Sequence, residues 1–454
     1  MVSAGRPLPR IVVAAPASGQ GKTMIATGLM AALRRTGLEV SGHKVGPDYI
    51  DPSYHALATG RPGRNLDPWL VGEQLIGPLL LHGALNPRPA DVAVIEGVMG
   101  LHDGAVGRAG FASTAHVAKL LSAPVVLVLD TTGQGRSAAA TVLGMQLFDS
   151  QVRIAGVILN RVGSARHESL LREAVAEVGV PVLGSVARSE SIVTPSRHLG
   201  LIPVAERVQQ ASASVAALAE LIAASVDLPQ LLDIARSAAP LGCPPWDPAT
   251  EVLPPAGRPV TVAVAAGPAF SFSYPETTEL LVAAGARVLP FDPMHDAGLP
   301  AGTDGLVIGG GFPEQHAEQL SANASMREAI AGFGGPIAAE CAGLLYLCRE
   351  LDGAPMVGLI DARARLTSRL TLGYREAVAE HDSPVAATGQ RVHGHDFHRT
   401  TTDPVHGSAA AWRYTGTERG SRHGFASSRL HASYLHTHWA GQPAAASRFV
   451  AACR

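Results

Sequence analysis

Short, unbroken runs of Val, Ile and Leu recur along this chain, and their lack of polar alternation limits what it can fold into. Ile11 to Ala15, Val92 to Ile95, Pro124 to Leu129 and Ile154 to Leu159 are of this kind. A strand with one wet face alternates apolar and polar residues, whereas a strand covered on both faces by crossover helices does not. With helical stretches between them, and further helices expected at Ser212 to Val226 and Leu228 to Ala235, these runs predict a mostly parallel sheet. The same alternation restarts at Val260 to Ala265, Arg287 to Phe291, Gly305 to Ile308 and Pro336 to Ala339. Between the two series lies APLGCPPWDPATEVLPPAGRP, whose prolines hold no regular ladder and which reads as a linker. The expected architecture is α/β in two domains, 1–238 and 260–454, joined by 239–259. A length of 454 residues agrees, since it exceeds one ordinary core.

Composition narrows the function classes. Hydrophobic residues make up 46% and charged residues 16%, the balance of a well-buried globular enzyme. The net charge of −2 provides no basic field to neutralise phosphates, so a nucleic-acid partner is not expected. Residues 1–10 contain no signal-like apolar region, and no uncharged apolar run is long enough to span a bilayer. Four cysteines without a CxxC pair are not a disulfide framework, and a cytoplasmic location is expected.

The first strand run leads into Pro16-Ala17-Ser18-Gly19-Gln20-Gly21-Lys22-Thr23 and then a helix with Ile25, Leu29 and Leu33 on one face. A strand, a loop containing Gly19 and Gly21, and a helix N-terminus together present N–H groups and a positive dipole end to phosphate. Lys22 is expected along the β/γ-phosphates and the Thr23 hydroxyl on Mg²⁺. The strict GxxxxGK[ST] spacing fails, because Pro16 stands where its first Gly belongs. Glu96 ends a buried strand as a Walker-B-like acid on the metal side, and KVGPDYIDP, residues 44–52, ends another. In an open α/β sheet both strand ends face the phosphate loop.

In the second half, PIAAECAGLL reads as strand, sharp turn and helix with Cys341 at the turn. Exposure and a thiolate favoured by the helix dipole would make it a nucleophile. Cys348, further along the same expected helix, reads as a buried structural thiol. LVIGGGFPE is a second strand ending in glycines; N–H groups of Gly310 and Gly311, with that of Ala342, would form an oxyanion hole. His436 in SYLHTHW is the candidate base. His393, His395 and His398 lack the companion ligands of a recognised zinc site and are read instead as groups facing an acidic substrate.

Taken together, APASGQGKT, KVGPDYIDP, VIEGVMGLHDG, LNRVGSARHE, GGGFPE, AAECAGLLYL, LTLGYREA, GHDFH and SYLHTHW resemble the cobyrinic and hydrogenobyrinic acid a,c-diamide synthases along nearly the whole chain. The resemblance implies a dethiobiotin-synthetase-like ATP domain, a group whose phosphate loop also departs from strict spacing, followed by a class I glutaminase domain. It implies that Cys341 is the glutaminase nucleophile and His436 its base. Lys22, Thr23 and Glu96 would serve phosphate and Mg²⁺. Asp48, Tyr49 and Asp103 would lie around ATP and the substrate carboxylate, and Asn160 would contact the nucleotide base. The activity implied is ATP- and glutamine-dependent amidation of two corrin-ring carboxylates, through an acyl phosphate and ammonia that needs a sheltered route. A homodimer is compatible with this reading. The competing readings are a cobyric acid synthase-like amidotransferase and a non-catalytic nucleotide-binding regulator; the Ala-, Gly- and Arg-rich composition leans toward hydrogenobyrinic acid as substrate. One departure stands out: where many class I glutaminases place an orienting Glu two residues after the catalytic His, this chain has His438.

Overall fold

The computed structural model describes residues 7–188, 196–197, 200–253, 257–415 and 421–454. The chain forms two units, Met1–Trp246 and Asp247–Arg454. The division falls inside the proline-rich stretch, whose residues 254–256 lie outside the described ones. That stretch is only partly irregular. Trp246 is buried and donates its backbone N–H to the Pro78 carbonyl, and Pro248–Glu251 forms a short helix capped by Asp247.

Unit 1 is built on strands β1 (Arg10–Ala14), β2 (Val40–Val45), β3 (Arg64–Leu66), β4 (Val92–Glu96), β5 (Val125–Asp130), β6 (Ile154–Val162) and β7 (Val182–Ala187). They make one seven-stranded sheet in the order β3-β2-β4-β1-β5-β6-β7, every pairing parallel. Strands β1 and β4, in its middle, are buried along their whole length, as their unbroken apolar runs require. A two-stranded antiparallel pair, β8 (Ser196–Arg197) and β9 (Gly200–Leu201), comes next in the chain. The helix Lys22–Arg35 packs closely on Val208–Ser225; Gly28 makes this approach possible, since a Cβ there would overlap the Ile222 side chain. Register sets the neighbours of Glu96: Val13 pairs with it from one side and Lys44 from the other. The carboxyl ends of β1, β2 and β4 therefore lie side by side.

Unit 2 contains β10 (Val260–Ala265), β11 (Ala286–Phe291), β12 (Gly305–Ile308), β13 (Ile337–Glu340), β14 (Cys348–Leu351), β15 (Ala354–Pro355), β16 (Ile360–Ala379), β17 (Arg391–Asp403), β18 (Trp412–Thr415), β19 (Arg422–His423), β20 (Phe425–Ala426) and β21 (Leu430–Ser433). One sheet runs β11-β10-β12-β13-β21-β20, parallel except at the β20–β21 edge. A second, mixed sheet runs β15-β14-β16-β18-β19, with β17 pairing antiparallel to β16 as a long ribbon. The core of this unit gathers Leu306, Ile308, Ala339, Leu344, Tyr346 and Leu351, all but sealed from solvent. The helix expected to carry Cys348 ends at Leu347 instead; Cys348 opens β14, fully buried, its thiol pushed by burial up to about 12.

Candidate functional sites

In unit 1, β1 delivers the chain into the loop that precedes the helix Lys22–Arg35. Gly19 and Gly21 have φ of 78° and 93°, values that a side chain would strain. The loop is fixed from outside. The Asn160 amide donates to the Gln20 carbonyl at 2.8 Å and fills the space a Cβ on Gly21 would need, while the Asp130 N–H donates to Gln20 Oε1 at 2.9 Å. Asn160 thus clamps the loop backbone at the carboxyl end of β6. Lys22 folds back over the same loop, donating to the Ala17 carbonyl at 3.1 Å and the Met99 carbonyl at 2.5 Å. Burial, reinforced by the nearby Lys44 ammonium, brings the Lys22 pKa down to about 8. The negative charge of a phosphate would oppose both influences.

Below the loop lies a compact ionic cluster. Thr23 Oγ1 donates to Glu96 Oε1 at 2.6 Å and lies 3.2 Å from Asp51 Oδ2. Lys44 donates to Asp51 Oδ2 at 2.7 Å, Glu96 Oε1 at 2.8 Å and the Gly97 carbonyl at 3.1 Å. His55 Nε2 is 2.7 Å from the other Glu96 oxygen. Burial disfavours the Lys44 charge, but Asp51 and Glu96 outweigh it and hold the ammonium above its ordinary pKa. Burial likewise opposes ionisation of Glu96, yet Lys44 and His55 prevail and keep it below the carboxylate range. Asp51 goes the other way: burial, with Asp48 and Glu96 close by, raises it well above its usual value. The Lys44 ammonium thus balances the Glu96 carboxylate, and the neighbouring Asp51 carboxyl is left to hold its proton. Two buried carboxyl groups and a hydroxyl converging at a phosphate loop are hard oxygen donors of the kind Mg²⁺ takes, so the residues present fit that ion.

The remaining sequence candidates of this unit have local duties. Asp48 Oδ1 accepts the N–H groups of Ile50 and Asp51 at 2.8 and 2.9 Å and fixes the start of the helix Asp51–Thr59. Tyr49 is buried beside it. Asp103 Oδ2 accepts the Gly100 N–H at 2.9 Å, closing the turn after β4, and its charge is felt by Lys22. Asp51, Lys44 and His55 were not singled out from sequence. The signal was present for the first two, inside KVGPDYIDP, but His55 enters only because the helix turns it back toward Glu96.

In unit 2, β13 ends at an elbow. Cys341 has φ 49° and ψ −99°, outside the ordinary range for a residue with a side chain, and the helix Ala342–Leu347 begins at once. Such a conformation costs about 1–3 kcal/mol and persists only where its surroundings enforce it. The Cys341 N–H donates to the Ser433 carbonyl at 2.8 Å and the Gly343 N–H to the Gly309 carbonyl at 3.0 Å. A Cβ on Gly343 would overlap the Ile308 carbonyl oxygen. The N–H groups of Ala342 and Gly311 favour the Cys341 thiolate over the thiol.

The thiol is nevertheless neither exposed nor acidified, contrary to the sequence expectation. Cys341 is 3% exposed, its Sγ 3.8 Å from the Phe397 carbonyl. Burial, with Glu314 and Asp396 nearby, pushes its pKa above the ordinary thiol value and outweighs the two N–H groups. The six-residue helix behind it is too short to reverse that balance.

His436 lies just beyond β21 and is fully buried. Its backbone exchanges hydrogen bonds with His395 of β17, at 2.9 and 3.0 Å. Its imidazole lies against the glycine segment, where a Cβ on Gly310 would overlap Cε1. Burial, aided by His395 and His398, drops the His436 pKa to about 3, so the ring is neutral in the fold. Cys341, Gly310, Gly311, Ala342 and His436 thus gather at the carboxyl ends of the adjacent strands β12, β13 and β21. Phe272, Phe312 and Phe397 form an aromatic wall there, with centroids 5.0 to 6.4 Å apart.

The three ribbon histidines do not converge. His393 and His395 share one face of β17, while His398 takes the other and stacks on Tyr434 at 3.8 Å. Among the described residues no group of three or more His, Cys, Asp or Glu is spaced to hold a metal by itself. No helix among them is long and apolar enough to cross a membrane.

Two family comparisons divide the chain as the two sites do. Residues 11–202 match the CobQ/CobB/MinD/ParA nucleotide binding domain, and residues 261–444 match the CobB/CobQ-like glutamine amidotransferase domain. A hydrogenobyrinate a,c-diamide synthase of Streptomyces coelicolor is 56% identical, over 99% of this chain and 98% of its own. One from Thermobifida fusca is 58% identical over 98% and 97%. A cobyrinate a,c-diamide synthase of Gloeobacter violaceus is 45% identical over 98% and 96%. With a nucleotide-binding unit and a glutamine amidotransferase unit in the same order and over the same length, the chain belongs to the family of cobyrinate and hydrogenobyrinate a,c-diamide synthases.

Proposed function

We propose that this protein is a cytoplasmic ligase that uses ATP, Mg²⁺ and glutamine to convert the a and c carboxylates of hydrogenobyrinic acid into amides. The observation that carries the reading is the coexistence, in one chain, of a nucleotide-binding unit with a phosphate-type loop and a glutamine amidotransferase unit with a cysteine at a strand–helix elbow. The metal-free corrin is favoured over the cobalt form because the relatives of that name are 56% and 58% identical, against 45% for a cobyrinate enzyme.

In unit 1 the loop N–H groups and Lys22 hold the ATP phosphates, with Lys22 leaving the Ala17 and Met99 carbonyls for them. Thr23, Asp51 and Glu96 would hold Mg²⁺, which when bound spreads the charge of the phosphates. The substrate carboxylate attacks the γ-phosphorus and ADP departs, leaving an acyl phosphate whose phosphate is a far better leaving group than oxide. In unit 2 the neutral His436 takes the Cys341 proton as sulfur attacks the glutamine side-chain amide. The oxyanion forms against the Gly311 and Ala342 N–H groups. The C–N bond then breaks, ammonia leaves with the proton from His436, and water hydrolyses the glutamyl thioester. Ammonia displaces phosphate from the acyl phosphate, and the cycle runs twice.

The test is direct. The full chain, incubated with ATP, Mg²⁺, glutamine and either hydrogenobyrinic or cobyrinic acid, should give a doubly amidated corrin by mass spectrometry, with the metal-free acid preferred. Cys341→Ala should abolish glutamine-driven synthesis and retain synthesis from added ammonia. Full glutamine-driven turnover by this variant would remove Cys341 from the chemistry.

A further inference from the structure

A base that must present one ring nitrogen to a thiol needs its other nitrogen held, and position 438, two residues on, offers an imidazole instead of a carboxylate. The nearest acid comes from a different direction. Glu340 is the last residue of β13, immediately before the nucleophile, and pairs in register with Ser433 of β21. Its Oε2 lies 3.9 Å from His436 Nδ1. Its Oε1 is fixed by Thr437, which donates its hydroxyl at 2.8 Å and its backbone N–H at 3.3 Å. The residue that anchors this carboxylate is thus the one following the base, so base and acid are tied by the chain itself.

The geometry points to Glu340 as the carboxylate that positions His436, replacing the acid missing from position 438. This inference rests on the reading of Cys341 and His436 as nucleophile and base. Glu340 touches no reacting atom; it acts through the ring. With Oε1 occupied by Thr437, Oε2 is the oxygen facing Nδ1, and a proton held on Nδ1 leaves Nε2 as the basic nitrogen. When the ring takes the thiol proton, the same carboxylate offsets the new positive charge. Burial raises the Glu340 carboxyl to about 7, against the pull of the Thr437 hydrogen bonds. The developing imidazolium 3.9 Å away is the charge that favours its ionised form.

The position next to the nucleophile also has a mechanical consequence. Because β13 and β21 are hydrogen-bonded neighbours, the acid ends one strand, the elbow follows it at once, and the base lies three residues past the end of the other.

Glu340→Gln tests this, because the amide oxygen still accepts from Thr437 while the charge is lost. The expected result is a fall in kcat for glutamine hydrolysis of at least about tenfold, with KM for glutamine within about twofold and ammonia-driven synthesis unchanged. A second variant separates positioning from folding. In a His436→Asn background, Glu340→Gln should change the residual glutamine turnover no further, since its effect passes through the ring. Unchanged kcat in the single variant would overturn the inference. So would an equal loss in both backgrounds, or a parallel fall in the ammonia-driven rate, each of which marks a structural role. Absence of glutamine hydrolysis in the unmodified chain would instead remove the underlying assignment of the thiol centre.

Discussion

Cys341 holds φ 49° and ψ −99° because its neighbours leave no alternative. Its N–H is taken by Ser433, and the next turn begins with Gly343 pressed on the Ile308 carbonyl. The N–H groups of Ala342 and Gly311 favour the thiolate at this turn, and the absence of a side chain at residue 343 is what lets the helix start so close to β12. Gly343→Ala should therefore destabilise unit 2 by roughly 1–3 kcal/mol, as overpacking against backbone does, and lower glutamine hydrolysis while ammonia-driven synthesis survives. Urea titration and the two assays check this; an unshifted midpoint would mean the elbow is looser than its packing implies. At this scale the sequence was informative about identity. Cys341, His436, Gly310, Gly311 and Ala342 were all named from strand-turn-helix pattern and family motifs, and the structure gathers them. Burial was not legible: an elbow thiol reads the same whether open or covered, and its coverage by Phe397 comes from a ribbon residue 56 positions away.

Among elements, the informative unit is the set of strand ends β1, β2 and β4 with the helix Asp51–Thr59. Register places Lys44 beside Glu96, and the helix start places Asp51 on the other side of the ammonium. Removing Lys44 leaves the buried Glu96 carboxylate without its ammonium, next to a second buried acid, Asp51. Lys44→Met should destabilise unit 1 by roughly 3–5 kcal/mol in metal-free buffer, the usual result of breaking a buried pair. Added Mg²⁺ should recover part of the loss, more than it stabilises the unmodified chain, because the cation enters the same oxygen cluster. Thermal melts with and without MgCl₂ measure this, and an identical Mg²⁺ response in both proteins would place the ion elsewhere. The sequence located all eight expected strand runs to within two residues at either end except β6, which runs on to Val162. It did not show that Asp48 spends one oxygen on the helix start or that Asn160 clamps the loop. Those depend on which backbone groups a turn leaves free.

For the molecule as a whole, buried histidines set the response to acid. Burial brings His436, His395 and His431 in unit 2 each down to about 3. The unfolded chain takes up these protons near the ordinary histidine value and the folded chain does not. Their contribution to stability is thus complete above about pH 6.5 and lost as pH falls toward 3. Glu340, raised to about 7, acts in the opposite sense: the folded form binds a proton that the unfolded form has released, so its contribution is present below the ordinary carboxylate value and fades as pH rises through 7. Three groups against one leave the histidines dominant. Urea midpoints for unit 2 should fall steadily between pH 6.5 and 5, and each His→Gln replacement should flatten the slope by up to about 1.4 kcal/mol per pH unit. A midpoint flat over that range would show that the rings are protonated in the fold.

What the sequence by itself determined is the kind of structure and the kind of chemistry. Short unbroken apolar runs bounded by turn residues read as strands covered on both faces, and a loop or a thiol between such a strand and a helix sits at the end where parallel sheets carry their sites. Those are local consequences of residue type and spacing. Tertiary structure alone decided which charges meet. Glu340 faces His436 because β13 and β21 are neighbours although nearly a hundred residues separate them, and Glu96 is shared by Lys44, His55 and Thr23 because three segments end together. Coulomb energy and desolvation depend on distance and burial in space, and neither quantity is written in the order of the chain.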